Sequence, residues 1–81
     1  MEVSGEKAAE IRRAIGEILG LNENGDAEGM GCLGVRSDRF VVLWCTAATA
    51  PLVWDKMEAA GWQFVANVGS GVPMFRKTGV P

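Results

Sequence analysis

Gly29, Gly31 and Gly34 stand at G-x-G-x-x-G spacing, the pattern in which bare backbone lets a dinucleotide pyrophosphate approach a helix N-terminus. The flanks exclude that chemistry. The fingerprint must follow a buried strand and open a helix, whereas an acidic stretch precedes Gly29 and Val35-Arg36-Ser37-Asp38-Arg39-Phe40 follows, reading as strand and turn. Glycines of a twisted or bulged edge strand account for the spacing. Asn22, Asn24, Asp26 and Glu28 place oxygens at alternate positions, but Gly25 interrupts them and the bidentate closing Glu of a calcium loop is missing, so a solvated loop is expected. The chain has no histidine, and two cysteines do not fill a tetrahedral zinc site. No metal or cofactor is therefore expected.

Cys32 and Cys45 are the remaining soft nucleophiles. With Arg36 paired to Arg39 across a turn, Cys32 faces Leu43 and Met30 faces Cys45. The two sulfurs are then diagonal neighbours at about 7–8 Å, at or beyond disulfide reach, and free thiols are expected. Nothing cationic is fixed beside either of them to stabilise a thiolate. Ser4, Ser37 and Ser70 sit at caps or turns without a base, and Asp55 and Glu58 lie on an exposed helix, so neither acyl transfer nor paired-carboxylate chemistry is assembled. No catalytic residue is assigned, and the chain reads as a binding protein in preference to an enzyme.

Arg36 and Arg39 flank a turn, and Arg76-Lys77 close the last strand. This basic edge, with Phe40, Trp44 or Phe64 as stacking platforms, would suit single-stranded nucleic acid. A net charge of −2 at pH 7 argues against that use, and charges at turns and strand ends serve edge protection.

The elements that must position these residues follow from periodicity. Ser4 caps a first helix with Ala8, Ile11, Ile15, Ile18 and Leu19 on its apolar face, and Gly20-Leu21 resembles a Schellman stop. Met30 to Arg36 and Arg39 to Thr46 form a hairpin joined at Ser37-Asp38. Thr49 caps a second helix with Pro51 in its first turn, an inward stripe of Val53, Met57 and Ala60, and a stop at Gly61 that folds Trp62 back onto Met57. Trp62 to Val68 and Val72 to Lys77 make a second hairpin, with Trp62, Phe64, Ala66 and Val68 on one face. Residues 1–3 and 78–81 are expected to fray.

One α+β domain over residues 1–81 results: a two-layer sandwich of α-β-β-α-β-β order, its four-stranded, mainly antiparallel sheet carrying both helices on one face. A hydrophobic content of 48% with 22% charged residues fits a single packed core, and no apolar run approaches the roughly 18 residues of a membrane span. The first residues lack the basic start and apolar centre of a signal peptide, so a cytoplasmic location without membrane contact is expected.

Within Phe40 to Cys45 both parities are apolar, which one layer of helices does not cover. The expected function is a small non-enzymatic interaction module. It self-associates as a homodimer or docks on a larger protein through the uncovered sheet face, as a phage-type or adaptor-type inhibitor would. Phe40, Val42, Trp44 and Phe64 are the expected contact residues, with Arg36, Arg39 and Arg76 as rim. The inverse assignment makes Val41, Leu43, Cys45 and Val65 the contact set. The alternatives are a nucleic-acid-binding domain using the basic edge, and a small-ligand or enzyme site formed at a dimer seam.

Overall fold

The computed structural model describes residues 5–37 and 39–78. Its elements run α1 (Gly5–Leu19), β1 (Asp26–Ala27), β2 (Met30–Ser37), β3 (Phe40–Cys45), α2 (Ala50–Ala59), β4 (Trp62–Gly69) and β5 (Val72–Lys77). Two helices pack on one face of an open antiparallel sheet of strand order β1-β2-β3-β5-β4. The architecture is the expected one with a fifth strand added. The stretch read as a solvated loop is tied down by Asn22, whose Oδ1 accepts from the backbone N–H groups of Asn24 (2.9 Å) and Asp26 (3.1 Å). This Asx turn, with Gly25 at φ 82°, aligns Asp26 and Ala27 against Gly31 and Met30.

Helix α1 buries Ile11, Ile15 and Leu19. It ends as its sequence suggests: Gly20 adopts φ 72°, and the Leu21 N–H donates back to the Gly16 carbonyl at 2.8 Å, the longer bond of a Schellman motif. At the end of α2, Gly61 adopts φ 89° and its N–H reaches the Glu58 carbonyl at 3.0 Å, while Lys77 Nζ donates to the Ala60 carbonyl at 3.0 Å and lies 5.4 Å from the Trp62 ring centre. Trp62 and Met57 are both buried in the core. The start of α2 differs from expectation. Thr49 occupies the N-cap position, but its hydroxyl makes no cap bond; it donates to the Gly29 carbonyl at 2.5 Å and accepts from the Thr46 N–H at 3.0 Å. Thr49 thus ties the head of α2 to the start of β2. The Ser4 cap and the fraying of residues 1–3 and 79–81 fall outside the described residues. Thr78 is anchored, donating its N–H (2.7 Å) and its hydroxyl (2.6 Å) to the Gly61 carbonyl.

The two hairpins share one register. Met30↔Cys45, Cys32↔Leu43, Gly34↔Val42 and Ser37↔Phe40 in the first become Trp62↔Lys77, Phe64↔Phe75, Ala66↔Met74 and Gly69↔Val72 in the second when each residue number rises by 32. Each outer strand carries two bulges at corresponding places, with Leu33 and Arg36 as the extra residues of β2, and Val65 and Val68 as those of β4. The connecting bonds repeat as well. Thr46 N–H to Gly29 carbonyl corresponds to Thr78 N–H to Gly61 carbonyl, and Cys45 N–H to Gly71 carbonyl corresponds to Lys77 N–H to Arg39 carbonyl. In the central pairing of β3 with β5, Val42↔Met74 is its own counterpart. A pseudo-twofold axis normal to the sheet therefore passes through that pair.

The bulges correct two sequence readings. Cys32↔Leu43 and Met30↔Cys45 hold as expected, but Arg36 does not pair with Arg39, because two extra residues have slipped the register before the turn. Past Val65, Ala66 moves to the Met74 face, so it does not share a side with Trp62 and Phe64. Among the described residues, Leu33, Val65 and Val68 are also three of the four exposed large apolar side chains, the other being Leu52 on α2.

Two substitutions test this packing. Phe75 is fully buried among Ile15, Val41, Leu43 and Met57, and Phe75→Ala should destabilise the fold by about 3–5 kcal/mol. At Gly71, φ is 68° and an added Cβ would lie 2.7 Å from the Cys45 carbonyl oxygen. Gly71→Ala should cost at least ~1–2 kcal/mol from the left-handed backbone alone. Urea unfolding of both variants against the parent chain measures these losses; a Gly71→Ala midpoint equal to the parent's would contradict the tight approach of the second turn to β3.

Candidate interaction surface

Strand β3 has no bulge, so its side chains alternate strictly. Val41 and Leu43 are fully buried beneath the helices, which places Phe40, Val42 and Trp44 on the opposite, uncovered face. Val42 is only 4% exposed there, yet it lies outside the core cluster. It is flanked along its strand by Phe40 and Trp44, and across the sheet by Gly34 and Met74. The uncovered face thus has an apolar centre of its own, set on the pseudo-twofold axis.

Trp44 reaches across to the neighbouring strand. A Cβ at its partner Gly31 would stand 2.2 Å from Trp44 Nε1 and 2.7 Å from Asp26 Oδ1, so the indole and the carboxylate converge over bare glycine backbone. A glycine in a strand leaves a gap in the side-chain layer, and a cross-strand aromatic fills it. This explains why Trp44 is only half-exposed, and it gives Gly31 a reason unrelated to nucleotide binding. At the corresponding place in the second hairpin, Gln63 faces Arg76, whose Nη2 lies 3.5 Å from Gln63 Oε1.

The expected contact residues are thereby sorted. Phe40, Val42 and Trp44 share the uncovered face, with Arg76 directly opposite Phe40 and the exposed Arg36 and Arg39 at the same end of the strands. Phe64 does not join them. It pairs with buried Phe75 on the helix face and stacks with Trp54 at 5.0 Å, while Trp54 and Phe75 meet edge-on at 5.4 Å. The inverse set is divided: Val41 and Leu43 are sealed under the helices, Cys45 packs partly against the same core, and Val65 is a bulge residue exposed at 44%. Met74 and Gly34 belong to the uncovered face and escaped the sequence reading. The bulge at Leu33 assigns Gly34 there, and the pairing of β5 with β3 assigns Met74.

Charge is distributed unevenly along this face. Arg36, Arg39 and Arg76 lie at the end where β2 turns into β3, whereas Asp26, beside Trp44, and Glu28, in the turn between β1 and β2, lie at the other end. Elsewhere, a shallow cleft of about 650 Å³ between α1 and the Asn22 turn is bordered by Arg12, Arg13, Glu17 and Asn24, with Cys32 beneath it. Among the described residues no charged or polar side chain is buried, and no three His, Cys, Asp or Glu side chains converge on a point where a metal ion would sit. No helix among them is long and apolar enough to cross a membrane.

Both thiols are free. Burial pushes Cys32 above the ordinary thiol range, against smaller opposing contributions from the Arg12 guanidinium and a backbone bond at Gly34; burial likewise raises Cys45. Such thiols are held as the unreactive protonated form.

The fold is an α+β two-layer sandwich with one uncovered sheet face. Comparison with protein-family models, with curated proteins and with solved structures finds no match.

Alkylation by iodoacetamide near pH 8 should be slower at both cysteines in the folded chain than in urea, with buried Cys32 slower than Cys45. Because both groups hold their protons more tightly when folded, their stabilising contribution is complete below the ordinary thiol pKa and fades as pH rises through the raised values. Thermal melts between pH 7 and 10 should show a decline that Cys32→Ala reduces. Equal alkylation rates in the folded and unfolded states would refute the burial of Cys32.

Proposed function

We propose that the chain is a protein-interaction module that makes its contact through the uncovered sheet face and performs no chemistry of its own. The supporting observation is the second apolar centre: Val42, on the side away from both helices, surrounded by Phe40, Trp44 and Met74. A sheet face without a partner layer ordinarily carries polar side chains along the strand. Here β3 spends three of its six positions on Phe, Val and Trp facing away from the core. Trp is over-represented among residues that dominate binding energy, and a Trp held in place across Gly31 loses little conformational freedom on contact.

Arg36, Arg39 and Arg76 at one end supply the polar rim of this reading. The nucleic-acid alternative has less support, because Phe64, one of its stacking platforms, lies against Trp54 and Phe75 beneath α2.

Hydroxyl-radical footprinting tests the reading. In a lysate of the source cells, Phe40, Trp44 and Met74 should be modified several-fold more slowly than in the dilute purified chain, while Leu52 on α2 is modified equally in both. Identical rates at all four positions in both settings would refute a contact surface on this face.

A further inference from the structure

The interaction reading leaves open what covers the face, and the placement of charge decides it. We propose that the occupant is a second copy of this chain, laid sheet face to sheet face with its strands reversed end for end, so that the Asp26/Glu28 end of each copy meets the Arg36/Arg76 end of the other. This inference rests on the contact surface proposed above and adds its partner and orientation.

Three observations lead to it. The first is charge complementarity along the strands: arginines collect where β2 turns into β3, and acids collect where β1 turns into β2. Among the described residues at that second end, in 26–31, 43–47 and 69–73, there is no Lys or Arg. Two copies stacked with like ends together would set arginines against arginines, whereas end-for-end reversal sets them against carboxylates twice, once on each side of the dyad. The second is the position of the apolar centre. Val42 and Met74 lie on the pseudo-twofold axis, midway between the two charged ends, so reversing a copy leaves Val42 and Met74 facing their own counterparts. Sheets packed face to face stand about 10 Å apart, a distance that side chains such as Trp44, Phe40 and Met74 fill from both sides. The third concerns the competing mode, edge-to-edge strand addition. One edge is β4, and the other is the two-residue β1 followed by the part of β2 beyond Gly31; β2 and β4 are each bulged twice, which bends the ladder and disfavours continuous pairing with another copy.

Charge exchange tests the arrangement. Asp26→Arg and the double variant Arg36→Glu/Arg76→Glu are each expected to weaken self-association by at least about tenfold in sedimentation equilibrium at low salt. An equimolar mixture of the two should recover nearly parental affinity as a heterodimer, because both contacts are then of opposite sign; native mass spectrometry of unequal-mass versions identifies it. If Asp26→Arg does not fold, because Asp26 lies against Gly31, Glu28→Arg in the exposed turn replaces it. A parental chain that stays monomeric across the dilution series overturns this inference. If the footprint over Trp44 nevertheless persists in lysate, the interaction reading stands with a different partner. A parental dimer indifferent to all the charge variants overturns the reversed orientation.

Discussion

Everything in this fold follows from a mismatch of coverage. Strand β3 is apolar on both sides, and the chain owns only one layer of helices. Ile11, Ile15 and Leu19 of α1 with Val53 and Met57 of α2 close over Val41, Leu43, Cys32 and Phe75, which makes the core. The other side of β3 is left to its own devices. It closes on itself as far as neighbouring strands allow, with Trp44 lying over Gly31 and Val42 enclosed between Phe40, Trp44 and Met74. Side chains fixed in this way have little conformational entropy left to lose, which is what the proposed contact would exploit.

Much of this was legible in the residues. The stop at Gly20-Leu21, the stop at Gly61-Trp62, the register of the first hairpin away from its turn and the apolar character of both sides of β3 all follow from spacing and from glycine's access to positive φ, whereas the side covered by the helices does not. What was hidden has a common physical cause. A bulge inserts one residue without disturbing the hydrophobic pattern on either side of it, so parity counted through Leu33 or Val65 assigns the wrong face afterwards. Parity alone therefore groups Ala66 with Phe64 and puts Gly34 on the wrong side, while Met74 is assigned by the pairing of β5 with β3, which no spacing within either strand reveals. Phe64 shares the parity of Trp62, and its pairing with Phe75 beneath Trp54 puts it on the helix face, away from the expected contact set. The strand at Asp26–Ala27 was hidden because two residues cannot establish a period. At Thr49 the difficulty is distance: a hydroxyl that serves Gly29, twenty residues earlier, looks locally identical to one that caps its own helix.

The repeated hairpin was invisible for a further reason. Between Gly29–Thr46 and Gly61–Thr78 only the two end residues are identical, Gly29 with Gly61 and Thr46 with Thr78. Those ends make the same backbone bond, Thr N–H to Gly carbonyl, at 3.1 Å in one half and 2.7 Å in the other. Backbone geometry preserves the correspondence where side chains do not, since what must be kept is a left-handed residue entering the outer strand and a donor leaving the inner one.

A symmetric assembly of two separate half-length peptides would have to place the same residue at both ends of the sheet. Here one covalent chain carries both halves, and Trp44 and Arg76 occupy equivalent stations, as do Gly31 and Gln63. Joining the halves thus gives the molecule a polarity that its architecture alone forbids, an indole beside a carboxylate at one pole and a guanidinium at the other, each free to change without dragging its twin along.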